Sequence, residues 1–327
     1  MGLIEKHFRA RLKKMKAILK VAKNMPFEVL ILKVVQRIRK KSVTDVIGTT
    51  WNIGQGLVDY YLNPSAKRQS SLPKPDYEKI RSDMENAGFN VIPYRIDVAN
   101  FYKWLSKADF PKKYIDSYGP KFVEKALEHY LGTKLLELGR KDVLIDVAAA
   151  HSPWFEIAER MYGCKAYALD LSFPKGINGK KIGADATAMP LPDGFATKMT
   201  LHCAYEMFEG DADSRLIPEA ERVLVLGGKM VILPLYMHNF YFADSSPWAD
   251  RRGLEYQGAV RVWRDDGYNV RFSRKYSVDV FIERVVKQIG SLSLIIYFIE
   301  NEKEVDQNCY CKFVAVFSKD TMNGGSY

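Results

Sequence analysis

Between residues 143 and 170 the chain reads VLIDVAAAHSPWFEIAERMYGCKAYALD: an apolar run, a short turn, an amphipathic stretch and a second apolar run ending on an acid. The pattern predicts strand, turn, helix and strand, with Ser152 and Pro153 as cap and first turn of the helix. The alternation continues downstream. KKIGAD predicts a short third strand, TKMTLHC a fourth, DADSRLIPEAERVL a helix and GGKMVILPLY a fifth strand. An irregular stretch over 239–275 leads to a helix at SVDVFIERVVKQIG and two last strands, SLSLIIYFI and CKFVAVFS. Cys309 and Cys311 are read as alternating along a strand, and so facing opposite sides of the sheet. This order predicts an α/β fold with a doubly wound, seven-stranded sheet and helices on both faces.

The first 140 residues have a different pattern. Ile4, Phe8, Leu12, Met15, Leu19 and Ala22 recur at three- and four-residue steps and predict an amphipathic helix. Asn24 and Pro26 open a second helix, FEVLILKVVQRIRKK, apolar first and basic last. NPSAKRQSSLPKPDYEK reads as a linker, and residues 97–138 read as helical and rich in aromatics. The predicted organisation is therefore a basic helical arm (1–41), a helical accessory region with a linker near 63–76 (42–139), an α/β domain (140–320) and a tail (321–327).

Charge sharpens the picture of the arm. Of a net charge of +10, residues 1–42 hold thirteen Lys or Arg against Glu5 and Glu28, so the body is nearly neutral. A basic amphipathic arm suits an anionic membrane surface, where apolar burial and headgroup attraction act together; the alternative is a helix docked on its own domain with a solvated charged face. Because the basic character is confined to the arm, no nucleic-acid partner is expected. No apolar run approaches the ~18 residues needed to span a bilayer. Four cysteines without a CxxC pair point to reduced thiols and a cytoplasmic location, peripheral at the membrane if the arm binds there.

In an open α/β sheet, ligands bind beyond the carboxyl ends of the strands. That edge collects Asp146, His151, Asp170, Asp185, His202, Glu206, Tyr236 and His238. Three of the five histidines follow predicted strands there. They could serve as bases, or His151, His202 and His238 could hold a metal, although no tight spacing supports that.

The order of these pieces resembles the class I S-adenosylmethionine-dependent methyltransferases, a Rossmann-like family. VLIDVAAAHS stands where that family has an acid followed by a glycine-rich turn, ALD matches its second-strand acid, and GADATAMPLPDGFAT its third-strand acid. LHCAYEMFEGDADSRLIPEAERVLVLGGKMVIL matches the fourth strand, the next helix and the entry to the fifth strand. The resemblance covers about residues 140–320 and extends more loosely to bacterial methyltransferases of surface-polysaccharide clusters. It implies S-adenosyl-L-methionine as cofactor, with contacts from Asp146, Ala148, Ala150, Ser152, Asp170, Leu171, Asp185, Ala186 and His202. It also implies a small-molecule or glycan acceptor, a lipid-linked sugar among the choices. The departure is the turn, which has no glycine; alanine disfavours positive φ by about 1 kcal/mol or more, so a slightly different backbone is expected there.

An oxygen or nitrogen acceptor must lose a proton, and a histidine near neutrality is an economical base. His202 is the first candidate and His238 the second, with Glu206 orienting; each also has a purely structural reading. The acceptor is expected among the aromatic and basic residues of 236–276, including Trp263, Arg264, Arg271 and Arg274. The arginines suggest an anionic or sugar-phosphate acceptor, and a folded aromatic cover over the site has the same pattern in sequence. The rival reading is a non-catalytic module that keeps the fold and binds a membrane or a protein through its arm.

Overall fold

The computed structural model describes residues 43–320, so the arm expected at 1–41 and the tail at 321–327 lie outside the described residues. The chain divides into two units. One runs to Lys74 and resumes over Phe242–Arg274; the other takes Pro75–Tyr241 and continues from Lys275.

In the larger unit, α1 (Tyr77–Asn86) leads to β1 (Asn90–Tyr94), followed by α2 (Val98–Ala108), α3 (Lys112–Tyr118) and α4 (Phe122–Leu136). Then come β2 (Val143–Val147), α5 (Trp154–Tyr162), β3 (Lys165–Asn178), β4 (Lys181–Gly183), β5 (Ala196–His202), α6 (Ala212–Val223) and β6 (Leu224–Leu233). After the excursion through the other unit, α7 (Val278–Arg284), β7 (Leu292–Ile299) and β8 (Phe313–Lys319) complete it. Side chains cap the helix starts: Asp76 and Asp97 accept from Lys79 N–H and Asn100 N–H at the starts of α1 and α2. Ser152 Oγ accepts from Trp154 N–H at the start of α5.

The strands form one sheet in the order β1-β7-β8-β6-β5-β2-β3-β4. β8 runs antiparallel to both its neighbours, and the β2–β5, β5–β6 and β2–β3 pairs are parallel. Successive residues feed two separate cores. Ile145, Met199, Leu201, Met230 and Ile232 pack on one face, and Leu144, Ala166, Ala168, Val231 and Leu233 on the other. A sheet with both faces covered reads as near-continuous apolar runs. The doubly wound α/β fold is thus present.

The sheet departs from expectation in one strand. Residues 90–94 add an eighth, pairing parallel with β7 through Asn90↔Ile295 to Tyr94↔Ile299. Residues 75–139 consequently fold with the sheet, and the accessory region expected over 42–139 is divided at Lys74. Pro93 conceals this strand in the sequence, since proline cannot donate to a ladder and is tolerated on sheet edges; β1 is an edge. The expected alternation of Cys309 and Cys311 is also corrected. Both precede β8 in irregular chain, where a strand's alternation does not operate, and both are fully buried.

The smaller unit contains the helix Val43–Leu62 and a parallel pair, Phe242–Ser245 with Val260–Trp263. The residues expected to meet an anionic acceptor are engaged within it. Trp263 Nε1 donates to Asp59, Arg264 pairs with Asp244 and Asp266, and Arg271 donates to the carbonyls of Asp250 and Arg252. Arg274 is fully buried against the Phe272 ring.

Candidate functional site

The chain passes from β2 out to β3 and β4 on one side, then returns to β5 on the other, so the switch point of the sheet lies between β2 and β5. A cavity of about 650 Å³ opens there, where open α/β sheets bind ligands. Asp146, Ala148, Ala150, Ser152, Asp170, Leu171, Asp185, Ala186 and His202, the residues that the family resemblance implies as cofactor contacts, all line it.

The glycine-free turn follows β2. Ala148 (φ 55°) and Ala150 (φ 47°) both adopt the left-handed conformation, which costs an L-residue about 1–2 kcal/mol. The alternative backbone expected for alanine is therefore not found; the alanines take the conformation that glycine would take. Hydrogen bonds sustain it. Ala149 N–H donates to Leu169 O at 3.1 Å, and Ala150 N–H donates to Asp170 Oδ2 at 2.8 Å. Asp170 Oδ1 accepts from Ser172 N–H at 2.7 Å. Asp170, in the first half of β3, thus binds the turn at the end of β2.

Period-two geometry builds the next layer. Asp146 is in register with Thr200 on β5, and His202, two residues on, shares that face. Thr200 Oγ1 donates to Asp146 Oδ1 at 3.0 Å, and His202 Nδ1 lies 3.1 Å from the same oxygen. Helix α4 lies over this row at Gly132. A Cβ built there would stand 3.1 Å from His202 Nε2 and 3.7 Å from Val231 Cγ1, so glycine permits the close approach. His202 Nε2 and Asp146 Oδ2 are both buried without a hydrogen-bond partner. The ring of His202 borders the cavity, but Nδ1 faces Asp146 and Nε2 faces the helix.

Helix α4 supplies an inner wall that sequence reasoning assigned no role. Lys125, Glu128 and His129 line the cavity together with Tyr114 and Tyr118 of α3. The signal was available: Glu124, Lys125, Glu128 and His129 are charged or polar residues at i, i+1, i+4 and i+5, and so on one side of the helix. What the sequence lacked was any indication of what this helix covers. Lys125 Nζ meets Glu128 Oε1 at 2.6 Å. His129 stacks on Trp154 at 4.7 Å, reaches the His202 ring at 4.2 Å between centroids, and has Nε2 3.2 Å from Tyr114 Oη.

Burial dominates the electrostatics of this wall. It pushes the Glu128 carboxyl well above the usual range, against the pull of Lys125 and with help from Glu124 and Glu206. Burial likewise raises Glu124 and Glu206. Cys203, whose backbone is also left-handed (φ 49°), is pushed up to about 12 by burial and by Glu206. That excludes a thiolate nucleophile at neutral pH.

His129 is held well below the ordinary imidazole value by burial, then by His202 and Lys125. Its neutral form is the folded form, whereas the unfolded chain takes up a proton as pH falls through the ordinary value of 6.5. Stability should therefore fall as pH drops below that value, by up to about 1.4 kcal/mol per pH unit for one proton. Chemical-denaturation midpoints of wild type and His129→Asn between pH 7.5 and 5 check this. The variant should lose that acid slope, and a slope of equal size in both would refute the assignment.

The remaining predicted residues lie elsewhere. Glu206 is buried behind Cys203, with Sγ 3.4 Å from Oε1, and does not border the cavity. His238 is corrected as a candidate base: it is buried outside the cavity, its N–H donating to Tyr276 O and its ring packed edgewise on Phe240 at 4.5 Å. The chain beyond β6 turns away to bridge Met237 with Tyr276, which takes His238 from the strand end where the sequence placed it. His151 is exposed in the turn. The set His151, His202 and His238 is not assembled, and among the described residues no group of three His, Cys, Asp or Glu side chains could hold a metal.

No family model matches the chain, and no curated protein matches it. Solved structures of similar fold include the Burkholderia thailandensis 1,6-didemethyltoxoflavin-N1-methyltransferase bound to its substrate and S-adenosylhomocysteine, at 11% identity and TM-score 0.44, over 67% of this chain and 89% of that one. A SAM-dependent methyltransferase of Methanosarcina mazei is 13% identical with TM-score 0.38, over 56% of this chain and 94% of the other. The MccD protein, at 19% identity and TM-score 0.31, is matched over 35% of this chain and 54% of its own length. At these identities the likeness is one of fold alone.

Proposed function

We propose that this chain binds S-adenosylmethionine at the switch point of the sheet and directs methyl transfer to a small acceptor at the inner end of the same cavity. The observation that carries the reading is the turn. Two alanines are held at positive φ beside a cavity, and such strain persists where the surroundings over-determine it, commonly at ligand sites.

The residues present fit the group. The strained turn and the start of α5 offer backbone N–H groups beside a space for a carboxylate. Asp170 accepts two amides and has lone pairs left for ribose hydroxyls. Asp185, which accepts from Thr187 N–H through Oδ1 at 2.8 Å, and Ala186 would border the base. Leu171 and Met207 line the cavity while 77% and 48% exposed, an apolar surface that a nucleoside would cover.

When bound, the cofactor supplies an electrophilic methyl group on a sulfonium. The protein's part is then to align an acceptor and keep water out. Tyr114, Tyr118, Glu128 and His129 form the wall against which an acceptor would rest. His202 supports this wall, since both its ring nitrogens are directed at protein.

Calorimetric titration with S-adenosylhomocysteine tests the reading. Saturable one-to-one binding is expected, whereas the rival, a module that keeps the fold without the site, predicts no heat of binding.

A further inference from the structure

Behind the inner end of the cavity lies a cluster of buried carboxyl groups. Glu124 and Glu206 each lie within electrostatic reach of Glu128, and Glu124, Glu128 and Glu206 are 0%, 0% and 5% exposed. Each has one oxygen engaged. Glu124 Oε2 accepts from Tyr310 N–H, Glu128 Oε1 meets Lys125, and Glu206 Oε1 accepts from Cys203 Sγ. Their other oxygens, Glu124 Oε1, Glu128 Oε2 and Glu206 Oε2, are buried without a partner. Glu128 itself lines the cavity.

Lys125 is the cation paired with Glu128, and on Glu206 the pull of Lys275 exceeds that of Lys125. The other titratable neighbours are neutral thiol and phenol groups: Cys203 after β5, Tyr236 after β6, and Tyr310 before β8. The aromatic surfaces are already arranged around an ammonium. Lys125 Nζ lies 5.9 Å from the Tyr118 ring centroid and 5.4 Å from that of Tyr310. Buried carboxylate oxygens without partners are expensive, and a ligand that brings N–H donors and positive charge would relieve them. An anionic ligand would bring those oxygens no donor and would be repelled by any of the three in its ionised form.

The geometry points to a small organic amine, primary or secondary, as the acceptor of this site, held as its ammonium with N–H groups directed at Glu128 Oε2 and with Tyr118 and Tyr114 beside it. One N–H proton would pass to Glu128, freeing the nitrogen lone pair to take the methyl group as the N–C bond forms and the S–C bond breaks. This rests on the cofactor-site reading above and specifies the substrate class for it.

The test uses the intact protein, titrated calorimetrically with three probes of similar size: 2-phenylethylamine, 3-phenylpropionate and 2-phenylethanol. Each titration is run with and without saturating S-adenosylhomocysteine. The amine should bind at least tenfold more tightly than the carboxylate or the alcohol. Glu128→Gln should reduce amine affinity at least tenfold while leaving that for S-adenosylhomocysteine within about twofold. Lys125→Met removes the internal competitor and should strengthen amine binding, a gain that a folding defect cannot imitate. Equal or tighter binding of the carboxylate or alcohol, no binding of the amine, or a weakened amine response in Lys125→Met overturns the proposal. Failure to bind S-adenosylhomocysteine, with the amine preference intact, would refute the cofactor reading instead.

Discussion

Asp170→Ala should weaken S-adenosylhomocysteine binding at least tenfold, and by up to about a hundredfold, because two separate contributions are lost together. One is direct: a carboxylate accepting from a ribose hydroxyl contributes about 1.5–3 kcal/mol, as hydrogen bonds to charged groups do. The other is structural. Ala150 N–H loses the acceptor that holds it in the left-handed region, so the turn is free to relax toward negative φ and must be re-ordered on binding. Calorimetry gives the affinity, and amide exchange at Ala150 separates the contributions, since protection there should fall in the ligand-free variant. An unchanged dissociation constant in a folded Asp170→Ala protein would remove Asp170 from the site.

His202→Ala should be the most damaging single change to stability. Asp146 and His202 have side chains only 2% and 7% exposed, and removing one partner of a buried, hydrogen-bonded acid costs about 3–5 kcal/mol. In a protein of this size that lowers the melting temperature by roughly 5–10 °C or more. His202→Asn, which can return an N–H toward Asp146, should recover a good part of the loss. If instead His202→Ala melts normally and binds S-adenosylhomocysteine normally, yet turns over a methyl acceptor 10²–10⁴-fold more slowly, the ring is the general base that the sequence suggested. The structure favours the first outcome, because Nδ1 is committed to Asp146 and Nε2 is enclosed against Gly132.

The site was legible where chemistry and local period coincide. Asp146, Asp170 and Asp185 could be placed because each ends an apolar run, and strand ends in an alternating α/β pattern share one edge of the sheet. Ala148 and Ala150 were legible as positions, though not as conformations; φ depends on Asp170, twenty residues later, accepting the Ala150 amide. His238 was misplaced for a related reason. A histidine five residues past β6 belongs to the edge only if the chain stays there, and pairing with residue 276 takes it away. Glu128 and His129 carry no local mark of a site because a buried helix with several charged residues on one side looks locally like an amphipathic helix with a wet face.

Sequence by itself determined the order of the main elements from β2 onward in the larger unit, the doubly wound class and the positions of Asp146, Asp170 and Asp185 in or just after β2, β3 and β4, since all of these follow from short-range periodicity and turn chemistry. Tertiary structure alone decided which helix closes the cavity. His129 and His202 stand in different elements far apart in sequence, and their rings meet at 4.2 Å only because Gly132 lets α4 descend onto β5 and β6. It also made Glu124, Glu128 and Glu206 buried neighbours, and so gave them raised pKa values. Desolvation and charge proximity are properties of assembled space, and no local pattern along the chain encodes them.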